Sequence, residues 1–209
     1  MEKNSIPDIQ ILKSREGRET YFHAKSIVNL PQWIGYFDNY VCSETIKDGL
    51  FGIGIDNNIE LNEDFTPSQE QVNAYYYLIE NHDIIKHNIL QALTNLILND
   101  YETFDPVNLP KLSDLTHDFD FKKYIGPRVI NITTDIKDEF AYITWHFHCL
   151  WDSEHGFEVI THKNRIIDIG GEADGFKIYE DNGAAKEVKY HFDKRLNTMK
   201  EKKKWWKFW

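Results

Sequence analysis

From Phe140 to Trp151 apolar and polar residues alternate almost without a break, a period of two that fits a half-buried β-strand and no helix. Ala141, Ile143, Trp145, Phe147, Cys149 and Trp151 fall on one face, and Tyr142, Thr144, His146, His148 and Leu150 on the other. The first set is core-facing. Cys149 therefore belongs among buried apolar groups, where a thiol behaves as a small hydrophobe and not as a nucleophile. A strand of this kind needs neighbours on both edges. The flanking runs Arg128 to Thr134, Phe157 to Lys163 and Arg165 to Ile169 supply them, giving an antiparallel meander over residues 128–170.

The rest of the chain reads as short N-terminal strands followed by helices. IQILK and ETYFHAKSIV flank Ser14-Arg15-Glu16-Gly17 as a hairpin, and LFGIGI adds a strand within residues 1–60. Over residues 66–100 the pattern predicts a pair of helices. Thr66 caps the first, with Pro67 at the first helical position and Gln69 closing a capping box. Asn81, His82 and Asp83 then interrupt the apolar stripe before a second helix carries Ile85, Ile89, Leu93 and Ile97. Pro106 and Pro110 mark a connector, with one short helix near residues 112–118. The fold class this predicts is α+β: a largely antiparallel sheet with a C-terminal meander, packed on two central helices as a single domain over residues 1–180. A basic amphipathic segment follows over 186–209.

Hydrophobic residues at 41% and aromatics at 14% of 209 exclude a disordered chain. Cys42 and Cys149 stand too far apart for a secreted disulfide scaffold. The start, MEKNSIPDIQ, has no apolar leader, and no run of about 18 apolar residues could span a bilayer. A cytoplasmic location is the expectation. The net charge of −10 argues against nucleic acid as a partner. It is unevenly placed: the stretch from Lys194 to Trp209 carries seven bases against Glu201 alone, a net +6, which leaves −16 on the rest. Gly52 and Gly54 form a Gly-x-Gly, yet no third glycine follows at the dinucleotide spacing, so no cofactor is expected.

One local signature stands out, Trp151-Asp152-Ser153-Glu154-His155-Gly156. Asp152 is suited to accept backbone N–H groups and Gly156 to adopt positive φ, so the segment reads as a structured turn. The stretch CLWDSEHGFEVITHKNRIIDIGGEADGF resembles a bacterial domain family of uncharacterised function marked by Cys-x-Trp-Asp-x-Glu-His-Gly, some of whose members look like immunity proteins beside polymorphic toxins. That resemblance implies a domain that binds another protein, and lends no reaction.

Two chemical alternatives stand beside it. Asp152, Glu154 and His155 contain the parts of an acid/base set. If Trp151 pairs with Phe157, His146 falls opposite His162, and with His148 and Asp168 these could hold a metal in a hydrolase or a metal-binding protein. A one-residue slip would separate them. At the C-terminus, Lys202, Lys203, Lys204, Trp205, Trp206, Lys207, Phe208 and Trp209 interleave bases with aromatics. That pattern suits weak contact with an anionic membrane, docking on a partner, or packing on the chain's own acidic body. The expected function is a non-enzymatic, immunity-like protein-binding domain.

Overall fold

Seven strands form one sheet in the spatial order β1 (Gln10–Glu16), β2 (Glu19–Asn29), β5 (Leu50–Ile55), β6 (Ile125–Lys137), β7 (Phe140–Cys149), β8 (Phe157–His162) and β9 (Arg165–Gly170). A small ribbon pairs β3 (Phe37–Asp38) with β4 (Glu44–Thr45). This computed structural model describes residues 5–16, 19–38, 44–57, 65–101, 108–116 and 119–189. Every neighbour in the large sheet is antiparallel except β5 and β6. A parallel pair needs a crossover, and the long helix α1 (Gln69–Asp100) lies within that connection. The α+β class holds, with the meander beginning slightly earlier than expected, at Ile125.

The span of α1 holds the expected pair of helices, joined across a kink at Asn81, where φ −124° and ψ 18° are non-helical and the side-chain amide donates to the Tyr77 carbonyl at 3.0 Å. The cap also lies further on than Thr66. The Ser68 hydroxyl accepts the Gln71 N–H, and the Gln71 side chain accepts the Ser68 N–H at 3.1 Å. Gln71 wins the role because the same amide donates to the Asp56 and Thr133 carbonyls, at 2.8 and 3.1 Å, tying the helix start to the residue after β5 and to the body of β6.

Val72, Tyr75, Leu78, Ile85, Ile89 and Ile97 of α1 bury against the sheet, where Trp145, Phe147, Cys149 and Val159 share one core with them. The predicted core face of residues 140–151 is the observed one. Its opposite face is not uniformly exposed, since Tyr142, Ile160 and His162 are buried there too. The connector carries short 3-10 turns at Leu112–Asp114 and Phe121–Lys123.

The chain divides into two compact units, Met1–Asp174 and Gly175–Trp209. The second contains α2 (Phe176–Asn182), with Lys177 paired to Glu180 at 2.8 Å. Gly183 ends it at φ +84°. The Lys- and Trp-rich residues 202–209 lie outside the described residues. Among the described residues no helix is long and apolar enough to cross a membrane.

Candidate functional site

The signature turn is built from its own polar groups. The Asp152 carboxylate accepts the His155 backbone N–H at 2.9 Å and lies 3.2 Å from His155 Nδ1, while the Gly156 N–H donates to the Asp152 carbonyl at 2.9 Å. The backbone N–H of His155, then its ring, hold the Asp152 carboxyl below the usual aspartate range. Cys149 Sγ donates to the same Asp152 carbonyl at 3.4 Å, and burial pushes the thiol up to about 12, so no thiolate forms near neutral pH. Trp151 is buried and stacks on Phe157, with centroids 5.9 Å apart. Glu154 is exposed, and the His155 side chain is 75% exposed on the outer rim.

The register of the hairpin differs from the one that would gather the histidines. Phe147, not Trp151, pairs with Phe157, and His146 faces Glu158. The reason lies in the turn. Trp151 folds back as a core side chain, the Leu150 N–H bonds to the Tyr124 carbonyl, and Cys149 pairs with Ile125 across on β6. The end of β7 therefore belongs to β6 and not to β8. The shift is even, so every side chain keeps its face, but His162 moves to the far end beside Tyr142, with ring centroids 4.7 Å apart.

Each predicted metal ligand consequently has other company. His146 Nδ1 sits 2.8 Å from Glu158 Oε1, and Glu158 Oε2 accepts the Ala173 N–H at 3.2 Å. Asp168 accepts the Asp174 N–H at 2.7 Å. His162 is buried, donates from Nε2 to the Lys137 carbonyl at 2.9 Å and has Nδ1 3.4 Å from Arg165. Among the described residues no group of three or more His, Cys, Asp or Glu side chains is placed to hold a metal ion. The carboxylates of the meander hold the loop after β9 and the turn before β8.

Two clefts escaped the sequence reading. One, of about 410 Å³, is lined by Tyr36, Asp83, Lys86, His87, Phe119 and Asp120 among others. Its cation is already engaged: Lys86 Nζ donates to the Gln32 carbonyl at 2.8 Å and lies 4.5 Å from the Tyr36 ring centre. Burial, and then the nearby Lys122, lower the Lys86 pKa. The other cleft, of about 320 Å³, brings Asp38, Lys47, Asp48, Gly52, Arg128 and His148 together where the ribbon meets β5, β6 and β7. Burial first, then the charge of Arg128, lower the His148 pKa, against an opposing pull from Asp38. The available signal was Arg128 itself, a base directly after Pro127 inside a strand.

Both clefts and the signature turn lie within one match to a known family. Residues 33–176, more than half of the chain, match the family described as Domain of unknown function (DUF6985). No curated protein and no solved structure matches the chain. With the kinked helix, the meander and both clefts inside its span, the chain belongs to the DUF6985 family.

Proposed function

We propose that this chain is a non-enzymatic, immunity-like protein-binding domain of the cytoplasm that docks a basic protein on the open face of its sheet. The observation that carries this reading is an exposed apolar row. Ile27 is 59% and Val129 37% exposed. Ile27 pairs with Gly52, and the Ile53 to Ile130 pairing sets Gly52 beside Val129, so the row crosses three adjacent strands. Glycine between two bare aliphatics leaves a shallow floor on which another surface can seat. The net charge of −10 favours a partner of opposite sign and speeds its encounter. The signature polar groups support the same reading, because Asp152, Glu158 and Asp168 are bonded to the chain's own backbone.

A photo-cross-linking residue placed at Ile27, with the exposed Leu98 on α1 as control, tests the proposal in cells of the source organism. The expected result is one adduct from position 27, to a protein of basic composition, that weakens at high salt and is lost when Val129→Glu is added. Identical adducts from both positions, or none from position 27, would overturn it.

A further inference from the structure

The cleft beside His148 brings Lys47 and Arg128 together with Asp38 and Asp48. Its walls are fixed by backbone. A β-carbon on Gly126 would land on the Phe37 carbonyl oxygen, so β3 lies directly against the start of β6. Gly126 in turn pairs with His148, which places the imidazole beside that junction. The ladder between β6 and β7 slips between Pro127 and Val129, leaving Arg128 out of register, and a bulge of this kind re-aims a side chain. Arg128 is exposed, and its charge acts on His148. Lys47 enters from the segment between β4 and β5. Two carboxylates share the lining. Asp48 accepts the Leu50 N–H at 3.0 Å and so shapes its own turn, while Asp38 faces His148.

We infer that this cleft binds a small organic oxyanion, a phosphomonoester or a carboxylate, anchored by Arg128 with Lys47 and His148 beside it, and carrying a hydroxyl or amine that Asp38 accepts. A guanidinium fork matches either oxyanion geometrically. Lys47 and Arg128 balance Asp38 and Asp48 in formal charge, so a ligand that joins an oxyanion to a donor group matches the lining. The volume of about 320 Å³ suits a ligand the size of a sugar phosphate. The site adjoins the docking row, since Gly52 belongs to both, but its ligand would bind to the isolated chain without any protein partner.

The pH dependence follows from the groups facing His148: Arg128 on β6, Asp38 on β3, and Lys47 and Asp48 between β4 and β5. A bound oxyanion offsets the Arg128 charge and favours protonated imidazole. Binding should therefore tighten as pH falls below neutrality and should raise the His148 pKa.

The test uses the full chain and three probes at matched ionic strength: ribose 5-phosphate, inorganic phosphate and succinate. Thermal shift reports saturation, and the His148 ring resonances, assigned with His148→Gln, report location. Gly52 lines the cleft, and a β-carbon there meets nothing within 4 Å, so Gly52→Leu fills the cleft without disturbing the sheet. The expected result is saturable stabilisation by at least one probe with movement of the His148 signal, at least tenfold weaker in Arg128→Met and absent in Gly52→Leu. A response to the phosphates alone identifies a phosphomonoester site, and a response to succinate alone a carboxylate site. No saturation with any probe, or binding at wild-type strength in either variant, overturns the inference.

Discussion

Gly156→Val is expected to lower the stability of this chain by about 2–6 kcal/mol, from about 1–3 for a branched residue in the left-handed region and a similar amount for displaced backbone. Gly156 has φ +75°, and a β-carbon on it would meet the Phe147 carbonyl oxygen. Both problems fall on one residue. The backbone cannot relax toward negative φ without breaking the Gly156 to Asp152 hydrogen bond, and the carbonyl cannot retreat because Phe147 stacks on Phe157 with centroids 4.7 Å apart. For a chain of this size the melting temperature should fall by roughly 5–20 °C. Gly52→Val supplies the contrast, because its β-carbon position is open and its φ is ordinary. Thermal denaturation of both variants checks the pair. Equal, small shifts would show that the turn does not depend on close approach of its backbone.

Trp145→Ala should cost about 3–5 kcal/mol in urea denaturation, the usual range for removing a large buried aromatic. Trp145 is 1% exposed, and its indole N–H donates to Thr161 Oγ1 at 3.1 Å, which ties β7 to β8 through side chains as well as backbone. Its ring lies nearly parallel to Phe147, with centroids 6.2 Å apart. Truncation opens a cavity at the centre of the sheet's inner face. The orphaned Thr161 hydroxyl keeps one partner, since it also donates to the Ile143 carbonyl at 3.3 Å. The lost packing therefore dominates the cost. Trp145→Phe retains part of the ring and should lose well under half as much. If alanine and phenylalanine were equally mild, this region would not be the core.

The strand at residues 140–151 could be read because a period of two writes its faces directly into the sequence, and the core set it implied is buried. The faces survived an error in pairing, because the true register differs by an even number of residues. That error had a local cause. Nothing in the order Trp151 to Gly156 says that Trp151 leaves the ladder to stack on Phe157, and only that fold-back decides which residues stand opposite. The helix start was misjudged for a similar reason. Thr66 and Ser68 both suit a cap, and Ser68 wins through Gln71 bonds to carbonyls on two strands that local sequence cannot see. Asn81 does mark the break between the two helices: its backbone leaves helical φ/ψ, and its side chain bonds the Tyr77 carbonyl of the preceding turn. The cleft at Arg128 was hidden because its lining comes from five strands and the segment between β4 and β5, and no sequence spacing records such convergence.

The conspicuous polar groups of the meander hold backbone, and the amide signals of His155, Ala173 and Asp174 report on this. Each N–H bonds a carboxylate, from Asp152, Glu158 and Asp168 respectively. The Asp152 carboxyl is held below its ordinary range, so the stability it contributes is present above the unfolded-state pKa and is lost as pH falls through the lower, folded-state value. In proton–nitrogen NMR spectra recorded on acidification, the His155 amide proton should move upfield as the Asp152 carboxylate protonates, and the Ala173 and Asp174 amides should shift in Glu158→Gln and Asp168→Asn. The His155 response should fall below the pH of an ordinary aspartate and vanish in Asp152→Asn, and added zinc should leave the rings of His146, His148 and His162 without a common shift. A His155 amide signal that stays flat through the titration, with one equivalent of zinc moving the three rings together, would contradict the account.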